Sequence, residues 1–254
     1  MKRIAGKLKK PLLFALAMAP IGAVAGYFTI LYQLDFMGDD MIRDAVTQLG
    51  SIEALIAVYI VQTVGYALFC GFFGYLLGEK LGLMRPLRLE KRALLITLGL
   101  SLAGGILFSL DYWTFGAWIP GVREATDLTL SVHVVLASVL YGGVIEELLL
   151  RLFLMSLIAF LLWKLFFRKR ETAPTGVIIA ANILAAILFA AVHLPATAMI
   201  FGNLTPLLLV RCFLLNGGFG LLLGYFYRKF GIQYAMLGHA VLHMVSKLIW
   251  FFFV

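Results

Sequence analysis

Two adjacent carboxylates, Glu146 and Glu147, lie inside the apolar stretch YGGVIEELLLRLFLM, and they are the only two of the chain's 13 acidic residues set well within an apolar run. An ionisable group at that depth costs roughly 2.5–3.5 kcal/mol on insertion scales, so it normally faces a partner or a wet cavity. On a helix Glu147 and Arg151 share a face, which allows an ion pair, whereas Glu146 is turned about 100° away from Glu147. Arg151 can therefore neutralise one carboxylate and leave the other free for chemistry. The competing reading is a purely structural Glu147–Arg151 clamp with Glu146 incidental.

Two further apolar runs carry histidines. His193 ends the sequence FAAVH, immediately before Leu194 and Pro195, where a proline loosens the helix. His239 and His243, in HAVLH, fall on one helical face. A pair so placed can ligate a metal, or can donate two hydrogen bonds to one substrate oxygen. The zincin motif needs Glu directly after the first histidine, and Ala240 stands there instead, which argues against a zincin. Three helices thus offer the groups that amide hydrolysis requires. Glu146 can serve as general base and His193 can orient the water. His239 and His243 can stabilise the developing oxyanion.

The elements that hold these groups are membrane helices. The 254 residues are 63% hydrophobic and 13% charged, with a mean hydropathy of +1.00, more apolar side chain than one soluble core can hide. Apolar segments occupy residues 11–33, 53–78, 93–110, 128–163, 175–200, 207–227 and 232–253. The expected fold is all-α, a polytopic transmembrane bundle of about seven spans. Residues 1–127 are expected to form N-terminal transmembrane helices, and residues 128–254 the helical core that carries the site.

Lysine and arginine alternate between the connections. Lys2, Arg3, Lys7, Lys9 and Lys10 precede the first span, and Lys80, Arg85, Arg88, Lys91 and Arg92 follow the second. Lys164, Arg168, Lys169 and Arg170 follow the fourth, and Arg228 and Lys229 the sixth. Asp35, Asp39, Asp40, Asp44, Asp111, Glu124 and Asp127 mark the opposite side. The positive-inside tendency then places the N-terminus in the cytoplasm. The expected location is a bacterial or archaeal plasma membrane, with the lipid bilayer as surroundings. The net charge of +8 is read as a topology signal, because no basic stretch interleaved with aromatic residues calls for nucleic acid. The N-terminus imitates a signal peptide, but its apolar run continues through Leu31 and reads as an uncleaved first helix.

The fourth segment is anomalous. Its 36 residues would make a helix of about 54 Å, too long for one simple crossing and too short for two. A long or broken fourth helix is expected, with Gly142 and Gly143 marking a break and a short re-entrant piece before it. Depth poses a second problem. At 1.5 Å per residue Glu146 and His193 lie about 25–27 Å from the cytoplasmic ends, His239 about 12 Å and His243 about 18 Å, so straight upright helices do not let them meet.

In order and on three helices, EELLLR, FAAVH and HAVLH resemble the pattern EExxxR, FxxxH, HxxxN of the CPBP family. These are the CAAX-processing and bacteriocin-processing membrane endopeptidases, also known as the Abi domain. The likeness runs from Leu140 to Val245 and includes the glycine-rich GGFGLLLGYFYRKFGI. It implies a glutamate-dependent proteolytic site in which Glu146 and His193 activate water. It also implies an oxyanion role for His239 and for the residue four places on, with Glu147 and Arg151 in support. The last position departs from the pattern, with His243 where the family usually has Asn. Histidine still donates a hydrogen bond but binds metals better than Asn does.

The expected function is that of an intramembrane endopeptidase acting on a membrane-associated peptide or protein. A CAAX-type prenylated peptide, a bacteriocin leader and a membrane regulator are all candidate substrates. No cofactor is expected; a divalent metal such as zinc, if held, would take Glu146, His193, His239 and His243 as ligands. The alternatives are a non-catalytic membrane scaffold or regulator that binds partner proteins, and a transporter built on the same buried groups.

Other polar or special residues are read conservatively. GxxxG pairs at Gly74/Gly78 and Gly220/Gly224 are read as close helix packing. Cys70 and Cys212 are read as packing residues, and His133 as an outer-end packing residue. Arg211, Asn216 and Lys247 are open between snorkelling, interhelical glue and substrate contact. The tail IWFFFV is read as an interfacial belt.

Overall fold

The computed structural model describes residues 2–35, 37–88, 90–126 and 131–254; Asp127 and the first three residues of the expected fourth segment lie outside them. The helices are α1 (Lys2–Leu34), α2 (Asp39–Leu49), α3 (Ile52–Lys80), α4 (Lys91–Ser109), α5 (Pro120–Thr126), α6 (Val132–Phe166), α7 (Thr175–Val192), α8 (Leu194–Phe201), α9 (Pro206–Phe230) and α10 (Ile232–Phe253). No strand occurs among the described residues. Seven helical stretches are long and apolar enough to cross a membrane; α4 counts with the two 3-10 turns after it, and α7 with α8. The protein is thus an all-α polytopic bundle. This is the one architecture besides a closed barrel that satisfies every backbone group in lipid.

Local signals set the helix boundaries. Gly50 takes a left-handed conformation, φ +93°, to close α2, a conformation that suits a residue without Cβ. The Ser51 hydroxyl then accepts from the Ala54 N–H at 3.1 Å to cap α3. Thr205 caps α9 in the same way through the Leu208 N–H, with Pro206 at the first helical position. The C-terminal phenylalanines Phe252 and Phe253 stay 69% and 75% exposed, as a lipid-facing belt requires.

The fourth segment is neither broken nor re-entrant. α6 is one continuous helix of 35 residues, wound as wide π turns over Ala137–Glu146 and Leu148–Met155. Gly142 and Gly143 do not interrupt it; they let α10 come close. A Cβ on Gly143 would stand 2.9 Å from that of Ala240, and one on Gly142 3.2 Å from the His243 ring.

The last turns of α6 pack on α3 and α7 and extend past the start of α10. The Tyr227 hydroxyl near the end of α9 lies 2.9 Å from that of Ser156, so α10 begins near the level of Ser156, well short of Phe166. Counted from that level, Glu146 is ten residues along the helix, against twenty from Phe166. The depth mismatch expected from the sequence disappears for this reason.

Small residues and buried ion pairs fix the packing. A Cβ on Gly74 would meet the Leu152 backbone at 2.9 Å, and one on Gly220 the Cβ of Ala186 at 3.2 Å. Asp111, buried just beyond α4, receives a bidentate Arg211 guanidinium at 2.6–3.1 Å, so Arg211 joins helices as interhelical glue. His133 pairs with Asp35 at 2.8 Å. Both cysteines are free and buried, and Cys212 Sγ donates to the Ala190 carbonyl at 3.2 Å.

Candidate active site

α6 supplies two carboxylates with different environments. Glu147 is fully buried, with Arg151 Nη1 3.2 Å from its Oε1. Arg151 also donates from Nη2 to the Gly220 carbonyl at 3.3 Å and lies over the Phe189 ring with its Cζ 4.6 Å from the centroid. Glu146 keeps 18% of its side chain exposed and faces a cavity of about 320 Å³ lined by α1, α4, α6, α7, α8, α9 and α10. The Glu147–Arg151 pair that the four-residue spacing allows is present, and Glu146 faces the cavity instead.

The three histidines reach the same cavity. His193 follows directly after α7, where its Nδ1 donates to the Phe189 carbonyl at 2.8 Å. A carbonyl can only accept, so in the neutral ring Nε2 carries the lone pair. His239 is 4% exposed, and its Nδ1 lies 2.8 Å from Glu147 Oε1. Its Nε2 is 3.0 Å from Nε2 of His243 and 4.0 Å from Glu146 Oε2. One of the two imidazoles therefore donates from Nε2 to the other. A proton on both nitrogens of His239 makes it a cation between Glu147 and Glu146.

Phe189, the first residue of FAAVH, holds several of these groups. Its carbonyl orients His193, its ring covers Arg151, and its ring stands edge-on to His193 at 4.6 Å and to His239 at 6.3 Å between centroids. Sequence reasoning gave this phenylalanine no task. The i−4 position relative to His193 was the available signal.

Residues 128–245 match a family model described as type II CAAX prenyl endopeptidase Rce1-like. This matched segment, 118 of the 254 residues, is similar to that family. The assignment agrees with the CPBP resemblance of the motifs, and the Rce1-like segment contains EELLLR, FAAVH and HAVLH in full. It supports a function of the CAAX-type intramembrane protease kind. No curated protein and no solved structure matches the chain.

Among the described residues no three His, Cys, Asp or Glu side chains converge as ligands of one ion. His239 spends Nδ1 on Glu147 and faces His243 across a hydrogen-bond distance with Nε2. In this arrangement the four candidate ligands do not form a coordination set, and no step below passes through a metal.

Proposed function

We propose that the protein is a membrane-embedded CAAX-type endopeptidase that hydrolyses a peptide bond with a glutamate-activated water. The observation that carries this is the convergence of Glu146, His193, His239 and His243 on one largely apolar cavity. Glu146, as carboxylate, takes a proton from a water that the His193 Nε2 lone pair helps to orient. The hydroxide attacks the scissile carbonyl, and the resulting oxyanion takes hydrogen bonds from His239 and His243. To donate from Nε2 while its Nδ1–H donates to Glu147, His239 acts as the imidazolium, and the His243 Nε2–H turns from His239 to the oxyanion; Arg151 holds Glu147 in place. The proton held by Glu146 then passes to the leaving amine. Phe108, Phe189, Phe219 and Leu242 line the cavity and suit an apolar chain such as a prenyl group on the substrate.

The test is cleavage of a prenylated CAAX-type peptide by protein in lipid discs. Glu146→Gln and His193→Ala are expected to lower turnover by about 10²–10⁴ each, with unchanged membrane levels. Equal cleavage by wild type and both variants would remove Glu146 and His193 from the reaction, and no cleavage above protein-free discs would favour the scaffold.

A further inference from the structure

Lys247 lies two residues beyond the Rce1-like segment, one helical turn past His243 on the same face of α10. It is only 9% exposed, and it lines the cavity that holds Glu146 and the histidines. Among the described residues no carboxylate pairs with it; its contact is with the Tyr32 ring, 5.9 Å from Nζ to centroid. A buried ammonium without a counter-charge is costly, and an intramembrane cation facing a cavity normally meets an anion there. Across the cavity on α1, Thr29 is 5% exposed, and its hydroxyl has no hydrogen-bond partner among the described residues. A cation and a hydroxyl from separate helices, both buried in one cavity and lacking polar partners, are the donor set of a carboxylate site.

Spacing indicates which carboxylate. Lys247 follows His243 by four residues and His239 by eight, about 6 Å and 12 Å along the helix. A peptide carbonyl held by the two histidines is then two or three extended residues from Lys247, since each residue spans about 3.3–3.6 Å. We infer that Lys247, with Thr29, binds the free C-terminal carboxylate of the substrate and sets the length of the fragment released. This inference rests on the protease reading. Its ligand chemistry is a carboxylate, for which a substrate's acidic side chain is the other source.

Binding and cleavage together separate this inference from that reading. The probes are a farnesylated peptide with three residues after its modified cysteine and a free C-terminal carboxylate, the same peptide as its C-terminal amide, and the amide with Glu as its last residue. Glu146→Gln protein in lipid discs is expected to bind the acid at least 10-fold more tightly than either amide. Adding Lys247→Met erases that preference, and adding Lys247→Arg retains it. In the cleaving enzyme, Lys247→Met raises KM for the acid about 10-fold and leaves kcat/KM for the plain amide unchanged. Equal binding of acid and plain amide, or a Lys247→Met loss that is the same for both, overturns the assignment. Binding of the Glu-terminated amide as tightly as the acid overturns the terminal-carboxylate choice. If the acid binds selectively through Lys247 but no peptide is cleaved, the protease reading fails and the carboxylate site stands.

Discussion

His239 Nδ1 and Glu147 Oε1 lie 2.8 Å apart, on the same carboxylate oxygen that Arg151 approaches at 3.2 Å. Three ionisable groups from two helices thus meet where Glu147 is fully buried. Removing one member leaves another without compensation, at a cost of about 3–5 kcal/mol. Glu147→Ala should therefore lower thermal stability markedly and abolish cleavage. Glu147→Leu combined with Arg151→Met, which removes both charges and keeps the volume, should recover much of the stability and none of the activity. A thermal melt alongside a cleavage assay separates the two effects, and recovery of activity in the pair would deny Glu147 its task of orienting His239.

Replacing His243 addresses the metal. Its Nε2 lies 3.0 Å from that of His239, so His243→Asn shortens the partner and restores the residue usual in the CPBP pattern. A site working through glutamate alone keeps or gains activity in this variant and is insensitive to chelators. Loss of both bound zinc and activity, measured by elemental analysis and cleavage of the same sample, would instead assign His243 as a ligand.

At Gly143 the helices have no room for a methyl group, since a Cβ there would stand 2.9 Å from the Cβ of Ala240. Gly143→Ala should cost about 1–3 kcal/mol through overpacking. By pushing α10 away from α6 it should also lower cleavage more than Gly99→Ala, where an added Cβ meets nothing within 4 Å. Comparable activity in the two variants would show that the close approach is dispensable.

The pair of Asp111 and Arg211 lies well away along the chain from the motifs and serves as a control for stability alone. Asp111 is 1% exposed and grips Arg211 bidentately. Asp111→Ala should destabilise by about 3–5 kcal/mol, while protein that remains folded at low temperature keeps its KM. A raised KM with unchanged melting temperature would place the pair in substrate binding instead.

The sequence made the seven spans legible because membrane helices must be uniformly apolar, and it made the Glu147–Arg151 pair legible because four-residue spacing on a helix is a local geometry. The link from His239 to Glu147 spans 92 residues and is a property of helix packing that no periodicity encodes. Gly142 and Gly143 misled for a related reason: glycine marks a break and a close approach with the same letter. Asp111 was read as a connection residue because it stands at the end of an apolar run; only the fold shows Arg211 arriving from α9. Lys247 was noticed as polar within a span, but whether such a lysine snorkels or faces a cavity depends on the rotation of α10, which its sequence alone does not set.

The wide turns of α6 have a genetic consequence. Each π turn accommodates more residues than an α turn does, so the carboxylate face and the Ser156 contact with Tyr227 keep their alignment only while the number of residues between them is conserved. An in-frame loss of one codon within Leu148–Met155 would rotate everything upstream about the helix axis, carrying Glu146 and Glu147 away from α10. Selection on this helix therefore acts on its count of residues as well as on their identities.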